Sequence, residues 1–425
     1  MKIFFKKILK SSLFKSSGVY TVGSIINNGV PFLLLPILTR YLTPEDYGLI
    51  AMFGIVLSIV GVFTGLSVHG AIQRVYYEKT INFKKYVFNC LLILVSSSVI
   101  VLIIVMLFRN PIFLLTKIPA NWLWLIVVMS FFLFVIQSLL SIYQAKMQAI
   151  KYMSIQITQT LLNVILSILL VVFLMMNWQG RILAQAISIV GVGLFSLYIL
   201  TVNWSCVKID VDYIKHALKF GIPLIPHTLG GLFIAMADRV IIEKLLGLRD
   251  LGLYSVGIQL CMGILVFHTS FNRALNPWVY RELNKNELEI RIKLIKFTYV
   301  YFILLILGGL LYAILMRKMI NVIVGQKYSD IASLLYYFSL GTSFSGMYNL
   351  VAKYIFYSYK TMYLTIITFI VGLINIVLTY IMVNLYYLRG AAISYLIVNM
   401  CYFIFTWIVS ARVFKMPWLL WRVSR

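Results

Sequence analysis

Apolar residues run through the chain in stretches of about twenty or more, split by short polar breaks that hold most of the charge. A bilayer core about 30 Å thick needs roughly 20 such residues of helix to cross it. The stretches predict spans near 16–41, 47–74, 86–108, 120–145, 154–176, 181–203, 219–246, 251–275, 294–316, 330–357, 361–384 and 388–413. The breaks carry helix-boundary chemistry. Thr43, Pro44, Glu45 and Asp46 offer an N-cap, a first-turn proline and first-turn acids. Asn110-Pro111, Ile118-Pro119 and Gly325-Gln326 mark other stops. The expected fold class is all-α: a polytopic membrane protein of about twelve transmembrane helices in two pseudo-symmetric six-helix lobes.

Composition agrees. The chain is 62% hydrophobic and 12% charged, against about one quarter charged in soluble domains. The formal net charge of +25 raises the question of nucleic acid. Its distribution answers otherwise. With both termini cytoplasmic, and charges near span ends counted with the adjoining segment, 26 of the 37 Lys and Arg are cytoplasmic and 10 lie on the opposite side, with Arg239 deep inside a span. That is the positive-inside pattern of an inner-membrane protein, and no nucleic-acid partner is expected. The basic N-terminus leads into an apolar run too long for a signal peptide and is read as a retained first helix. Extramembrane segments are short, the largest being basic residues 276–293. There is no Gly-Lys-Ser/Thr loop and no His-Glu-x-x-His motif. Cys90, Cys206, Cys261 and Cys401 have no metal-like spacing. An enzyme, a metal, a cofactor and catalytic residues are therefore not expected.

The chain also repeats itself. A shift of 204 residues lays Asp46 on Asp250, Gly48-Leu49 on Gly252-Leu253, Val75-Tyr76 on Val279-Tyr280 and Glu78 on Glu282. A shift of 212 lays Asn163 on Asn375, with Gly180 and Gly390 following. The expected organisation is an N-terminal lobe, 1–204, a cytoplasmic linker, 205–218, and a C-terminal lobe, 219–425. Six spans per half make the repeats parallel, with a shared cavity and alternating access, which favours a transporter over a channel.

Several segments resemble Wzx-type polysaccharide flippases of the multidrug/oligosaccharidyl-lipid/polysaccharide exporter superfamily. They are Thr39 to Leu49, Ala237-Asp238-Arg239, Leu253 to Gly257, Ser270 to Pro277 and Arg389 to Ala392. The resemblance implies a V-shaped two-lobed helical bundle. It implies an undecaprenyl-diphosphate-linked oligosaccharide as substrate, flipped from the cytoplasmic to the periplasmic leaflet for O-antigen or capsule synthesis. It also implies a proton or sodium gradient, a cation-rich central cavity, membrane lipids as partners and a possible polysaccharide polymerase alongside.

Charges inside a bilayer cost about 3 kcal/mol or more, so intramembrane ionisable groups are the candidates. Arginine suits a diphosphate because its fork is planar and always charged. Arg273 and its repeat mate His69 can face one cavity, or Arg273 can snorkel to the inner boundary. Asn272 joins them through the resemblance. Arg239 stands four residues from Glu243 and can pair with it, leaving Asp238 for a proton or sodium ion; an ion-pair network holding span 7 is the equal alternative. Arg74 faces Glu78 at the same step and is a boundary pair or a head-group contact. His227 and His268 can relay protons or serve as polar contacts between helices. Arg40 and Lys353 read as snorkelling residues. Asn27, Asn28, Asn163, Asn375, Gln137, Gln144, Gln156 and Gln159 can line a sugar-passing cavity or bind helices together. Pro31, Pro36, Pro223 and Pro226 mark candidate bends.

Two rival functions differ in what they need. An ion-coupled multidrug antiporter of the same superfamily would want acidic cavity walls, and the spans offer few acids. A polytopic O-antigen polymerase or ligase would want a substantial periplasmic loop, and the outer loops are short.

Overall fold

The computed structural model describes residues 12–78, 80–285 and 287–418. Among them every regular element is a helix: α1 Ser12–Tyr41, α2 Pro44–Gly65, α3 Val68–Val75, α4 Phe83–Leu107, α5 Arg109–Thr116, α6 Leu123–Ala145, α7 Ala149–Ser167, α8 Asn177–Ile199 and α9 Val211–Gly221. There follow α10 Leu224–Leu246, α11 Leu248–Leu260, α12 Met262–Asn284, α13 Leu288–Ile323, α14 Leu335–Tyr357 and α15 Met362–Val413. Each of the twelve predicted spans falls on helix. Among the described residues, eight helical runs are long and apolar enough to cross a membrane. One of them, α15, has 52 residues, about 78 Å of helix, more than two bilayer cores. It is broken at Tyr387, whose φ of 52° and ψ of −138° are not helical, between the two spans predicted there. The chain is a multi-pass all-α membrane protein.

Large apolar side chains cover the outward faces. Leu107, Phe173, Leu304 and Phe369 are each more than 60% exposed, a surface that acyl chains satisfy and water does not. Hydroxyl groups inside the spans bond carbonyls one turn back, as Ser138 does to Phe134 at 2.8 Å and Thr298 to Leu294 at 2.8 Å. This leaves few polar atoms facing hydrocarbon.

The residues group into two compact units. One comprises residues up to Leu42 with Asp46–Phe233; the other comprises Thr43–Glu45 with the residues from Ile234 onward. In the first unit α7 packs against α1 and α8, and α6 against α3, α4 and α8. In the second, α14 packs against α12, α13 and α15.

One span differs from the predicted pattern. Span 47–74 is not continuous. It breaks at Leu66 and Ser67, both at left-handed φ (43° and 51°), giving α2 and α3. The end of α9 fits this break: a Cβ at Gly221 would collide with the Leu66 carbonyl. Hydropathy does not register such a contact between distant segments. Within the predicted linker, 205–218, lies most of α9. Asp210 caps it, accepting from the Asp212 N–H at 3.1 Å and the Tyr213 N–H at 3.4 Å. Buried Asn89 of α4 ties the preceding segment down, donating to the Lys208 carbonyl and accepting from the Asp210 N–H, each at 2.9 Å.

Candidate functional site

One face of α7 presents Gln156, Gln159, Thr160 and Asn163, spaced three, four and seven residues apart, as a helix requires of neighbours. Across from it on α1 stands Asn27. Its Nδ2 donates to Gln156 Oε1 at 3.1 Å, and its Oδ1 accepts from Thr160 Oγ1 at 2.9 Å. From α8 comes Arg181. Its Nη1 donates to Asn163 Oδ1 at 2.5 Å and to Ser167 Oγ at 2.8 Å. These groups surround a cavity of about 250 Å³, whose remaining wall is Val30, Pro31, Leu34 and Val164. All of them lie within the first unit.

The α7–α8 turn holds Arg181 in place. The helix after Ser167 widens over Ile168–Phe173, and Gly180 packs against it. A Cβ at Gly180 would stand 2.9 Å from the Leu170 carbonyl oxygen. Buried Tyr47 of α2 lies within electrostatic reach of the guanidinium. No ion pair joins Arg181 to a carboxylate among the described residues. The cavity is thus amide-rich and carries one positive charge.

Sequence reasoning grouped Asn27, Gln156, Gln159 and Asn163 only as polar residues in apolar runs, and the fold gathers them. It missed Arg181, which falls at the predicted edge of its span and reads there as an outer-loop charge. The available signal was an arginine directly after Gly180, the glycine that follows Asn163 as Gly390 follows Asn375.

In the second unit Asp238 is a buried residue, 8% exposed. Its carboxylate accepts from the Tyr254 hydroxyl at 2.5 Å and from the Arg239 N–H at 2.8 Å. The Arg239 guanidinium lies 4.0 Å from the same carboxylate and donates to the Ala235 carbonyl at 3.0 Å. Of the two arrangements weighed from the sequence, Asp238 has the surroundings of the second, a polar network that holds span 7. The result is a bridge from α10 to Tyr254 of α11.

His268 on α12 is fully buried, and neither ring nitrogen has a partner among the described residues. A Cβ at Gly346 of α14 would come within 3.1 Å of its ring. One turn on, buried Asn272 donates to the His268 carbonyl at 2.9 Å and toward the Tyr301 hydroxyl at 3.5 Å. Arg273 follows on the same helix, and its side chain lies outside the described residues; so does that of Asn28. In the first unit, His69 at the start of α3 packs its ring 5.7 Å from Phe134. Arg74 is exposed and pairs with Glu78 at 3.4 Å. His227 is exposed near the start of α10. Lys353 departs from its predicted snorkelling: it is 3% exposed and its Nζ has no partner among the described residues. The side chain points into the packing around α14 instead of along it to water.

The profile of a family described as "Polysaccharide biosynthesis protein" matches residues 13–283. An "Uncharacterized membrane protein" of Haemophilus influenzae is 28% identical over 361 residues, covering 82% of this chain and 85% of that protein. Two solved structures share the fold at 16% identity. The "Lipid II flippase MurJ, inward closed conformation" superposes with a TM-score of 0.73, over 92% of this chain and 87% of that one. The inward-facing conformation of "a multidrug resistance MATE family transporter of the MOP superfamily" gives 0.62, over 92% and 94%.

Proposed function

The chain belongs to the polysaccharide biosynthesis protein family, and from that premise we propose that it is a flippase for undecaprenyl-diphosphate-linked oligosaccharide. It carries these units from the cytoplasmic to the periplasmic leaflet of a bacterial inner membrane by alternating access, for O-antigen or capsule synthesis. The family match over residues 13–283 carries this reading. The fold shared with a lipid II flippase supports it.

In this reading Arg273, His69, Arg239, Arg74 and Asn272 meet the substrate's anionic and polar groups. Asp238, His227 and His268 couple movement to a proton or sodium gradient. The two lobes, 1–204 and 219–425, move about the linker 205–218. The test is leaflet transport of a lipid-diphosphate-linked oligosaccharide in proteoliposomes, with variants confirmed folded. The parent transports, Arg273→Ala loses transport, and Asp238→Asn loses its dependence on the ion gradient. Failure of the parent under every proton or sodium gradient would sink the reading.

Orientation has its own test. Exposed Cys206 should react with a membrane-impermeant maleimide from the cytoplasmic side only. Reaction from the periplasmic side would reverse the topology.

A second reading, an ion-coupled drug antiporter, draws on the fold shared with a multidrug transporter. The charge of the α1–α7–α8 cavity argues against it, since its one charged lining residue is an arginine and a cationic drug needs acids. Uptake of organic cations without lipid-linked transport would establish it.

A further inference from the structure

We propose that the cavity between α1, α7 and α8 is a subsite for one carboxylate-bearing sugar ring of the transported oligosaccharide, gripped by Arg181. The inference rests on the flippase reading for the origin of the sugar. The grip itself rests on geometry.

A guanidinium keeps its charge under all ordinary conditions and has five N–H donors. Arg181 uses only Nη1 toward Asn163 and Ser167. Its Nε and Nη2 donate to no described residue. Those two form the side-on fork that matches a carboxylate with two parallel bonds. A half-buried guanidinium near a span end without an acidic neighbour is stabilised by a counter-charge from elsewhere, and the cavity gives it room to enter.

Charge and volume select the ligand. One cation balances one negative charge. A diphosphate brings at least two, and no second cation lines this cavity. The volume of about 250 Å³ equals about eight waters at roughly 30 Å³ each. That is the scale of a single pyranose ring. Around the fork, Asn27, Gln159 and Thr160 supply amides and a hydroxyl, which pair with sugar hydroxyls as donors and acceptors. The apolar wall suits the C–H face of a ring.

The experiment is calorimetric titration of the purified full chain in detergent with sodium glucuronate, glucose, sodium phosphate and sodium chloride at matched ionic strength. Glucuronate should bind about ten-fold more tightly than glucose, the worth of one charge-assisted pair. Arg181→Gln should erase that preference. Gln159→Ala, which leaves the guanidinium untouched, should weaken both sugars and serves if Arg181→Gln does not fold. Equal binding of glucose and glucuronate overturns the inference. So does phosphate or chloride binding as tightly as glucuronate, and so does a preference that survives in Arg181→Gln. The transport assay separates the two readings. Flipping of lipid-linked oligosaccharide by a chain that ignores glucuronate rejects the subsite and keeps the flippase. Glucuronate binding without any lipid-linked transport rejects the flippase, and with it the sugar's place in a transported chain.

Discussion

In α7, Ser167 and Asn163 stand one turn apart with their side chains 3.2 Å from each other; in α15, 212 residues later, Thr379 and Asn375 repeat the contact at 3.1 Å. In each unit a glycine then packs on a carbonyl of the preceding helical segment. Gly180 meets Leu170, and Gly390 meets Met382, again 212 residues after Leu170. The third partner differs. In the first unit it is Arg181, half-buried beside a cavity. In the second it is Ser394, which bonds Thr379 at 2.8 Å and is fully buried. One frame supports two chemistries, because a guanidinium needs space and a counter-charge while a hydroxyl closes on its neighbour.

The harshest way to break this comparison is to force the charge into the closed copy. Ser394→Arg places a guanidinium among packed groups with no acid beside it, and should cost about 3–5 kcal/mol. The readout is the yield and thermal midpoint of folded protein in detergent. A parent-like midpoint would mean the second frame is as open as the first. Next come the glycines. Gly390→Ala drives a Cβ into the Met382 carbonyl and should cost about 3 kcal/mol, with Gly180→Ala nearer 1 kcal/mol because its contact of 2.9 Å is looser. Reversal of that order in thermal unfolding would show the two turns to be built differently.

A finer probe acts on the charged copy. Asn163→Ala removes an acceptor from Arg181 and should lower stability by about 2 kcal/mol. Adding Arg181→Met to that variant should recover about half, since the charge left without its acceptor is then gone. No recovery would mean that Asn163 matters for packing and not for holding the guanidinium. The smallest effect belongs to Thr379→Val, which should cost about 0.6 kcal/mol, as inter-helix hydroxyl bonds do in membrane proteins. A much larger loss would make the second frame a functional element of its own.

How legible the molecule is in its sequence varies with the number of partners a property needs. A run of apolar residues declares a membrane helix by itself, so every predicted span falls on helix. The Thr43-Pro44 start of α2 is also local, read from capping and first-turn chemistry. The break at Leu66 and Ser67 is not local. It accompanies the approach of Gly221 from α9, and hydropathy carries no trace of that. Asp238 shows the same limit within one turn. Spacing along α10 leaves the surroundings of Asp238 open, and it is Tyr254 of another helix that bonds its carboxylate.

By itself the sequence determined the all-helical membrane class, the sites of the spans and the residue pairs that recur at steps of 204 and 212. These follow from hydropathy, capping and identity, which are properties of neighbours in the chain. Only the tertiary structure decided that Asn27, Asn163 and Arg181 share one cavity, that Asp238 bonds Tyr254, and that Lys353 is buried. Those outcomes depend on which helix faces meet, and a face is chosen by packing between helices, whether the segments are adjacent, as for Asp238 and Tyr254, or more than a hundred residues apart, as for Asn27 and Gln156.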